Sequence, residues 1–368
     1  MQQLKLSDPD VEFFACGGPA MVSQNVHMLA DLVSLSVMGG LEVLFKYNAI
    51  RKIFKKLVNF LDRERPDALI LVDYPGFNLR LAAQAKAKGI GVIYYVSPQI
   101  WAWAPERIQK IRCLVDLMLV ILPFEKGLYE RAGVPVRYVG HPSLDRTAHV
   151  SARHPWLASQ GLDPQARYVG LLPGSRVMEI QKILPVLLDA ACIIARELPK
   201  TTFLIPCAGG HLEAGITSAL QKSLLDPSAF RIVQGQALEV TRACELVLVA
   251  SGTATLETAL MDTPMLIVYK VNPLTYLIAR MLVRLEYIGL VNVLAGRLIV
   301  PEFLQHRARG PLIAKEALAL LGSAERQSQM KAHFEKIRQD LGPAGASDRA
   351  AQAVHQWLGK SEKSAAIP

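Results

Sequence analysis

Two glycine-bearing turns, each placed where an apolar run gives way to a helical pattern, hold the residues best suited to chemistry. The first is Pro173-Gly174-Ser175-Arg176, between a predicted strand at 168–172 and a predicted helix at 180–197. Glycine lets the chain turn tightly. The start of the helix offers free N–H groups and the positive end of its dipole, a combination that suits a phosphate. Arg176 adds a guanidinium able to grip two phosphate oxygens at once. The second turn is Ser251-Gly252-Thr253, between a predicted strand at 246–250 and a predicted helix at 253–261 that carries Glu257. Its hydroxyls and N–H groups suit a second phosphate, and Glu257 can accept hydrogen bonds from both hydroxyls of a ribose. Singly, each turn also fits a plain strand–turn–helix, with a solvated arginine in one and an acidic residue favoured near a helix N-terminus in the other. Two in one half of the chain point to a diphosphate with a sugar attached. The sequence contains neither G-x-x-x-x-G-K-[ST] nor G-x-G-x-x-G, which argues against a P-loop ATPase and weakens a dehydrogenase reading.

Earlier in the chain, Asp73 closes a predicted strand at 68–72 and is followed by Tyr74-Pro75-Gly76-Phe77-Asn78. A carboxylate at a strand's carboxyl end can take a proton from an attacking hydroxyl as general base; it can also be a turn or capping residue. Trp101 and Trp103, just beyond the next strand, either line a substrate wall or belong to the core. The segment 41–61 is helical by period, with Val43, Ile50, Phe54, Leu57 and Leu61 on one face and Lys52, Lys55 and Lys56 on the other. Leu41, Leu44 and Phe45 fall on the lysine face in its first turn. An apolar tip beside a basic collar suits a helix that dips into an anionic bilayer; the alternative is a turn packed under another loop. The mostly apolar segment 274–285, with Arg280 and Arg284 on one face, could serve similarly.

These residues need elements to position them. Apolar runs at 11–16, 68–72, 91–96, 117–122 and 136–139, and again at 168–172, 203–206, 231–233, 246–250 and 265–269, alternate with helical patterns. That is the signature of parallel sheets with crossover helices, in which ligands sit beyond the carboxyl ends of the strands. The expected organisation is α/β, two Rossmann-like domains whose parallel sheets face a cleft. The first spans 1–145 and the second 146–340, followed by a helix at 341–358 and a disordered tail at 359–368, with 140–166 as the linker. A length of 368 residues, 51% of them hydrophobic and 20% charged, supports two such cores. No run approaches the roughly 18 apolar residues of a spanning helix, and the N-terminus shows no secretory pattern. The five scattered cysteines form no C-x-x-C pair, which argues for a reducing compartment. No metal motif occurs, and neither metal nor cofactor is expected. The only D-x-D, Asp8-Pro9-Asp10, reads as a solvated turn. The net charge of +9 calls for an anionic partner: nucleic acid, anionic lipid or a phosphorylated substrate.

Together these motifs resemble the lipid-A-disaccharide synthase family, inverting GT-B glycosyltransferases. The resemblance runs through Gly17-Gly18-Pro19-Ala20-Met21, Val37-Met38-Gly39, the Asp73–Asn78 stretch, Tyr95-Val96-Ser97-Pro98, Trp101-Ala102-Trp103, Leu122-Pro123-Phe124-Glu125 and Val139-Gly140-His141-Pro142. It continues through Leu172–Arg176, Ala250–Glu257 and Asn292-Val293-Leu294-Ala295-Gly296. It implies transfer from UDP-2,3-diacylglucosamine to the 6-hydroxyl of 2,3-diacylglucosamine 1-phosphate (lipid X), with Asp73 as general base. It implies a UDP-sugar site containing Gly174, Ser175, Arg176, Ser251, Gly252, Thr253, Glu257 and Asn292; Asn292 enters by resemblance alone. It further implies a peripheral place on the cytoplasmic face of the inner membrane of a Gram-negative cell and a homodimer. A family feature is not found here: a strand followed by a loop of the type G-E-x-S-G-D, ahead of the strand at 11–16. About one βα unit, roughly 30 residues or more, is expected to be missing, through a late recorded start or a real truncation. A truly shortened chain would lack a central strand and have an unstable first half.

Three other readings compete. One is another GT-B-like enzyme, such as a UDP-N-acetylglucosamine 2-epimerase or the transferase of peptidoglycan assembly. Another is a nucleic-acid-binding protein, disfavoured because the basic residues are dispersed and no RNP, KH or zinc pattern occurs. The last is a truncated, inactive, membrane-associated homologue.

Overall fold

The computed structural model describes residues 1–32, 42–273, 276–277 and 285–365; for 19, 42–46 and 360–365 the backbone alone is described. The chain divides into two compact units, Met1–Pro142 with Pro343–Pro368, and Ser143–Gly342.

In the first unit, β1 (Phe14–Gly17) pairs in parallel with β2 (His27–Asp31). A separate four-stranded parallel sheet runs in the order β3 (Ala68–Val72), β4 (Gly91–Tyr95), β5 (Leu117–Val120), β6 (Val136–Tyr138). Among the described residues no strand joins the two sheets, and β3 pairs only with β4. The helices Glu42–Glu64, Pro75–Ala87 and Ile108–Leu114 cover one face of the larger sheet. Their core contains Leu57, Leu61, Leu71, Leu81, Val92, Tyr94, Ile111 and Met118. On the other face Ile93, Leu117 and Leu119 pack with Ala350, Ala351 and Val354 of the C-terminal helix and with Leu4 of the short helix Gln2–Ser7. Gly91 is needed there, since a Cβ would lie 2.0 Å from the Trp357 ring. Burial on both faces explains why these strands read as unbroken apolar runs. The cover stops short of β3, where Ile70 and Val72 remain 37% and 46% exposed.

The second unit has a six-stranded parallel sheet, β7 (Arg167–Leu172), β8 (Thr201–Cys207), β9 (Phe230–Gln234), β10 (Leu246–Ala250), β11 (Met265–Tyr269) and β12 (Glu302–Leu304). Its order is β12-β11-β10-β7-β8-β9. The chain builds outward from β7 to β9, then crosses back and builds outward from β10 to β12. Strand order therefore reverses between β7 and β10, the place where doubly wound sheets bind ligands. All five side chains of β10 are buried, and helices including Val177–Glu197, Gly310–Leu321 and Ala324–Leu341 contribute to the surrounding core.

Several expectations shift. The segment at 140–166 is no plain linker, because it contains the helices Pro142–Thr147 and Arg153–Ser159. The C-terminal helix spans Ala346–Ala365, so the segment from 359 is mostly helical, and 366–368 lie outside the described residues. The helix expected at 274–285 falls almost wholly outside them, as does Leu41; Leu44 and Phe45 lie within the helix Glu42–Glu64, their side chains undescribed. Among the described residues no helix is long and apolar enough to cross a membrane.

Candidate active site

Because β7 and β10 are adjacent and parallel, with Val249 opposite Leu172, both glycine-bearing turns emerge side by side at the same end of the sheet. At the first, Gly174 adopts φ +112, a conformation open to glycine. A Cβ there would also lie 2.2 Å from Glu179 Oε2. Arg176 is the N-cap of the helix Val177–Glu197, and Glu179, three residues in, folds back on the turn. Glu179 Oε2 accepts hydrogen bonds from the N–H groups of Ser175 (2.8 Å) and Arg176 (3.1 Å), and Oε1 accepts one from Arg176 Nη1 (3.0 Å). The anion-ready turn thus already holds a carboxylate, which supplies the N3 half of a capping box; the arginine N-cap has no acceptor to complete it. Tyr269, at the end of β11, lies near this pair. Burial pushes its hydroxyl up, Glu179 adds to the shift and Arg176 opposes it.

At the second turn Gly252 caps the helix Thr253–Leu260, and a Cβ on Gly252 would meet nothing within 4 Å. Ser251 Oγ donates to the Ile288 carbonyl (2.8 Å), so this hydroxyl fixes a neighbouring loop. Glu257 is mostly buried and accepts hydrogen bonds from Arg146 Nη1 (2.5 Å) and Ser143 Oγ (3.3 Å). Arg146 offsets the charge of a carboxylate that would be costly to bury alone. The arrangement gathers Gly174, Ser175, Arg176, Ser251, Gly252, Thr253 and Glu257 at one sheet end.

Asn292 is linked to the Ser251 turn through Ile288 and Glu302. It sits in the short helix Leu290–Ala295 and is fully buried. Its Nδ2 donates to the Val300 carbonyl and to Glu302 Oε1 (2.8 Å each), and its Oδ1 accepts from the N–H groups of Ile299 (3.0 Å) and Val300 (2.9 Å). A carboxamide has two donor and two acceptor positions, and all four are used inside the protein. Asn292 therefore holds the 292–302 loop. Glu302 continues the network, accepting from the Ile288 and Gly289 N–H groups.

In the first unit, Asp73 and Tyr74 follow β3 with φ +49 and +44, and Val96 follows the adjacent β4 with φ +62. Positive φ is rare outside glycine and strained for a β-branched residue such as valine. Such strain clusters at functional sites. The Asp73 side chain is exposed at this end of the sheet. Two strands further along, after β5, Glu125 is buried and accepts hydrogen bonds from Ser97 Oγ (2.6 Å), Trp101 Nε1 (3.0 Å) and the Leu122 N–H (3.2 Å). Burial raises its carboxyl above the usual range, and these donors oppose the shift. Trp101 is thereby anchored, whereas Trp103 is exposed with the Arg107 guanidinium 4.2 Å over its ring. Sequence reasoning missed Glu125 and Glu179. Their signal was a glutamate three residues after a helix start, the capping-box spacing.

The two α/β units, with a diphosphate-suited pair of turns at the switch point of one sheet and a strained carboxylate at the end of the other, define a nucleotide-sugar enzyme of the GT-B class. Solved structures of that architecture resemble the chain. A putative UDP-N-acetylglucosamine 2-epimerase from Listeria monocytogenes superposes with a TM-score of 0.62 at 14% identity, covering 98% of this chain and 93% of that one. The UDP-GlcNAc 2-epimerase from Neisseria meningitidis, bound to UDP-GlcNAc, gives 0.59 at 12% identity, with 95% and 99% covered. At such identities the likeness concerns the fold alone. A family model described as lipid-A-disaccharide synthetase matches residues 1–356. The lipid-A-disaccharide synthase of Geobacter sulfurreducens is 42% identical over 353 residues, covering 96% of this chain and 91% of that one. That of Nitrosococcus oceani is 42% identical over 358 residues, with 97% and 92% covered. The chain belongs to the lipid-A-disaccharide synthase family, and it is a glycosyltransferase of lipid A disaccharide synthesis.

Proposed function

We propose that the chain transfers the 2,3-diacylglucosaminyl group of UDP-2,3-diacylglucosamine to the 6-hydroxyl of 2,3-diacylglucosamine 1-phosphate, giving the β-1,6-linked disaccharide 1-phosphate and UDP. The observation that carries this reading is the pairing of the two anion-suited turns on β7 and β10 at the switch point. The donor's diphosphate lies against the Gly174–Arg176 and Ser251–Thr253 turns, and Glu257 takes the ribose hydroxyls. Asp73 accepts the proton of the acceptor's 6-hydroxyl as its oxygen attacks the anomeric carbon. The bond from that carbon to the diphosphate oxygen breaks on the opposite face, so the configuration inverts. Arg176 and the N–H groups of the helix starts stabilise the charge that grows on the departing UDP. For those N–H groups to serve, the Glu179 carboxylate swings out as the diphosphate enters.

Both substrates carry acyl chains, so the reaction belongs at a membrane surface. Lys52 and Lys55 are exposed on the helix Glu42–Glu64, in line with a basic collar facing anionic lipid. The apolar tip of Leu41, Leu44 and Phe45 enters the cytoplasmic face of the inner membrane, and the active form is a homodimer. The test is turnover of both acylated substrates by the purified chain, with and without EDTA. UDP release dependent on the lipid X acceptor and indifferent to EDTA is expected. Conversion of UDP-N-acetylglucosamine to its epimer, without turnover of the acylated donor, would sink the reading.

A further inference from the structure

We propose that Asn78 and Tyr94 are positioning residues that hold the Asp73–Tyr74 backbone in its left-handed conformation and so aim the Asp73 carboxylate. The inference rests on the reading of Asp73 as the general base. In an extended strand successive carbonyls point to opposite sides. Here the two hydrogens of Asn78 Nδ2 reach two successive carbonyls, Val72 O (3.0 Å) and Asp73 O (2.7 Å). One amide can bridge both because the chain reverses at Asp73. The hydroxyl of Tyr94, on the neighbouring strand β4, donates a second hydrogen bond to Asp73 O (2.5 Å). Both lone pairs of that carbonyl are thus engaged, each by a buried side chain, since Tyr94 is fully buried and Asn78 nearly so.

Two consecutive non-glycine residues at positive φ persist only where the surroundings over-determine them. Tyr74 also precedes Pro75, which disfavours the ordinary helical conformation for it. Tyr94 keeps its proton for this task, because burial pushes its hydroxyl well above the usual range. Tyr94 does not reach solvent and Asn78 barely does; each acts through the main chain of Asp73.

Steady-state turnover of both acylated substrates, with UDP binding by calorimetry, tests the assignment on full-length variants. Tyr94→Phe keeps the ring and removes one hydrogen bond; kcat should fall about 10-fold. Asn78→Ala removes two and should lower kcat about 100-fold, the scale of a misplaced reacting group. KM for each substrate and the UDP affinity should stay within about twofold, because binding surfaces are untouched. Adding Tyr74→Gly to Asn78→Ala should recover about tenfold in kcat, because glycine adopts positive φ without help. A merely structural role for Asn78 predicts no such rescue. Asp73→Asn separates the two readings: it should cost about 100- to 10,000-fold, and near-normal turnover would remove Asp73 as base. If Asp73→Asn is dead while Tyr94→Phe and Asn78→Ala turn over at the parent kcat, the positioning role is overturned. It is overturned equally if KM rises with kcat unchanged, or if the added glycine recovers nothing. Should Asn78→Ala fail to fold, Tyr94→Phe decides alone.

Discussion

Replacing Asn292 by alanine separates a loop-holding residue from a ligand contact. The carboxamide makes four hydrogen bonds, to Val300 O, Glu302 Oε1, Ile299 N and Val300 N. At about 0.5–1.5 kcal/mol net for each, the loss would be about 4 kcal/mol, and the buried peptide groups left behind keep it near that value. For a unit of this size 1 kcal/mol moves the midpoint by roughly 2–4 °C, so a fall of about 10 °C is expected in ligand-free thermal unfolding. UDP affinity of the folded protein, measured by calorimetry well below that midpoint, should stay within about threefold. Asn292→Asp refines the test. The new carboxylate could still accept from Ile299 N and Val300 N, but it would face the Glu302 carboxylate and could not donate. It would therefore hold a proton above the ordinary carboxylate range. A group whose folded pKa is raised contributes stability at low pH that is lost as pH rises through that pKa, so this variant should be more stable near pH 5 than near pH 8. A midpoint within 2 °C of the parent, together with UDP binding weakened about 100-fold, or about 2.7 kcal/mol, would refute the reasoning and return Asn292 to the ligand.

Glu179 competes with the diphosphate for the same N–H groups, so Glu179→Gln should tighten UDP binding about 3- to 10-fold, while the weakened capping box lowers the midpoint by a few degrees; a tenfold loss of UDP affinity by calorimetry would show instead that Glu179 aims Arg176. Arg176→Ala should weaken UDP binding about 10- to 100-fold, as expected for a charge-assisted contact, and unchanged binding in the same assay would remove Arg176 from the site. Changing Leu44 and Phe45 together to serine should release the protein from anionic vesicles in a flotation assay with turnover of soluble short-chain substrates retained; undiminished flotation would place both side chains elsewhere.

The parts of the fold that could be read ahead are those stabilised by burial. Strands β3, β10 and β11 fall at the residues expected. The apolar runs of β10 and β11 fit a covered parallel sheet, and β3 is as apolar although its cover is partial. The strands passed over are short and half-covered. His27–Asp31 contains no fully buried residue, and Glu302–Leu304 begins with a carboxylate. These are held by pairing with another strand, β2 with β1 and β12 with β11, and a local pattern does not record such pairing. The site divides in the same way. The positions of Asp73, Arg176 and Ser251 in the fold were legible because each follows the carboxyl end of a readable strand. The role of Asn292 was not, since its partners lie in a loop with no periodicity of its own. The left-handed turn at Asp73 and Tyr74 was equally hidden: its cause is one hydroxyl on the next strand and one amide five residues on.

Strand β3, with one sheet neighbour among the described residues and the side chains of Ile70 and Val72 partly in water, has a practical consequence for anyone handling the protein. Its outer row of peptide groups offers a ready template for a foreign strand, and the bare aliphatic pair adds adhesion. Concentrated stocks should scatter light increasingly with time. A lysine at position 70 or 72, the gatekeeper that natural sheets place on such rims, should keep them clear.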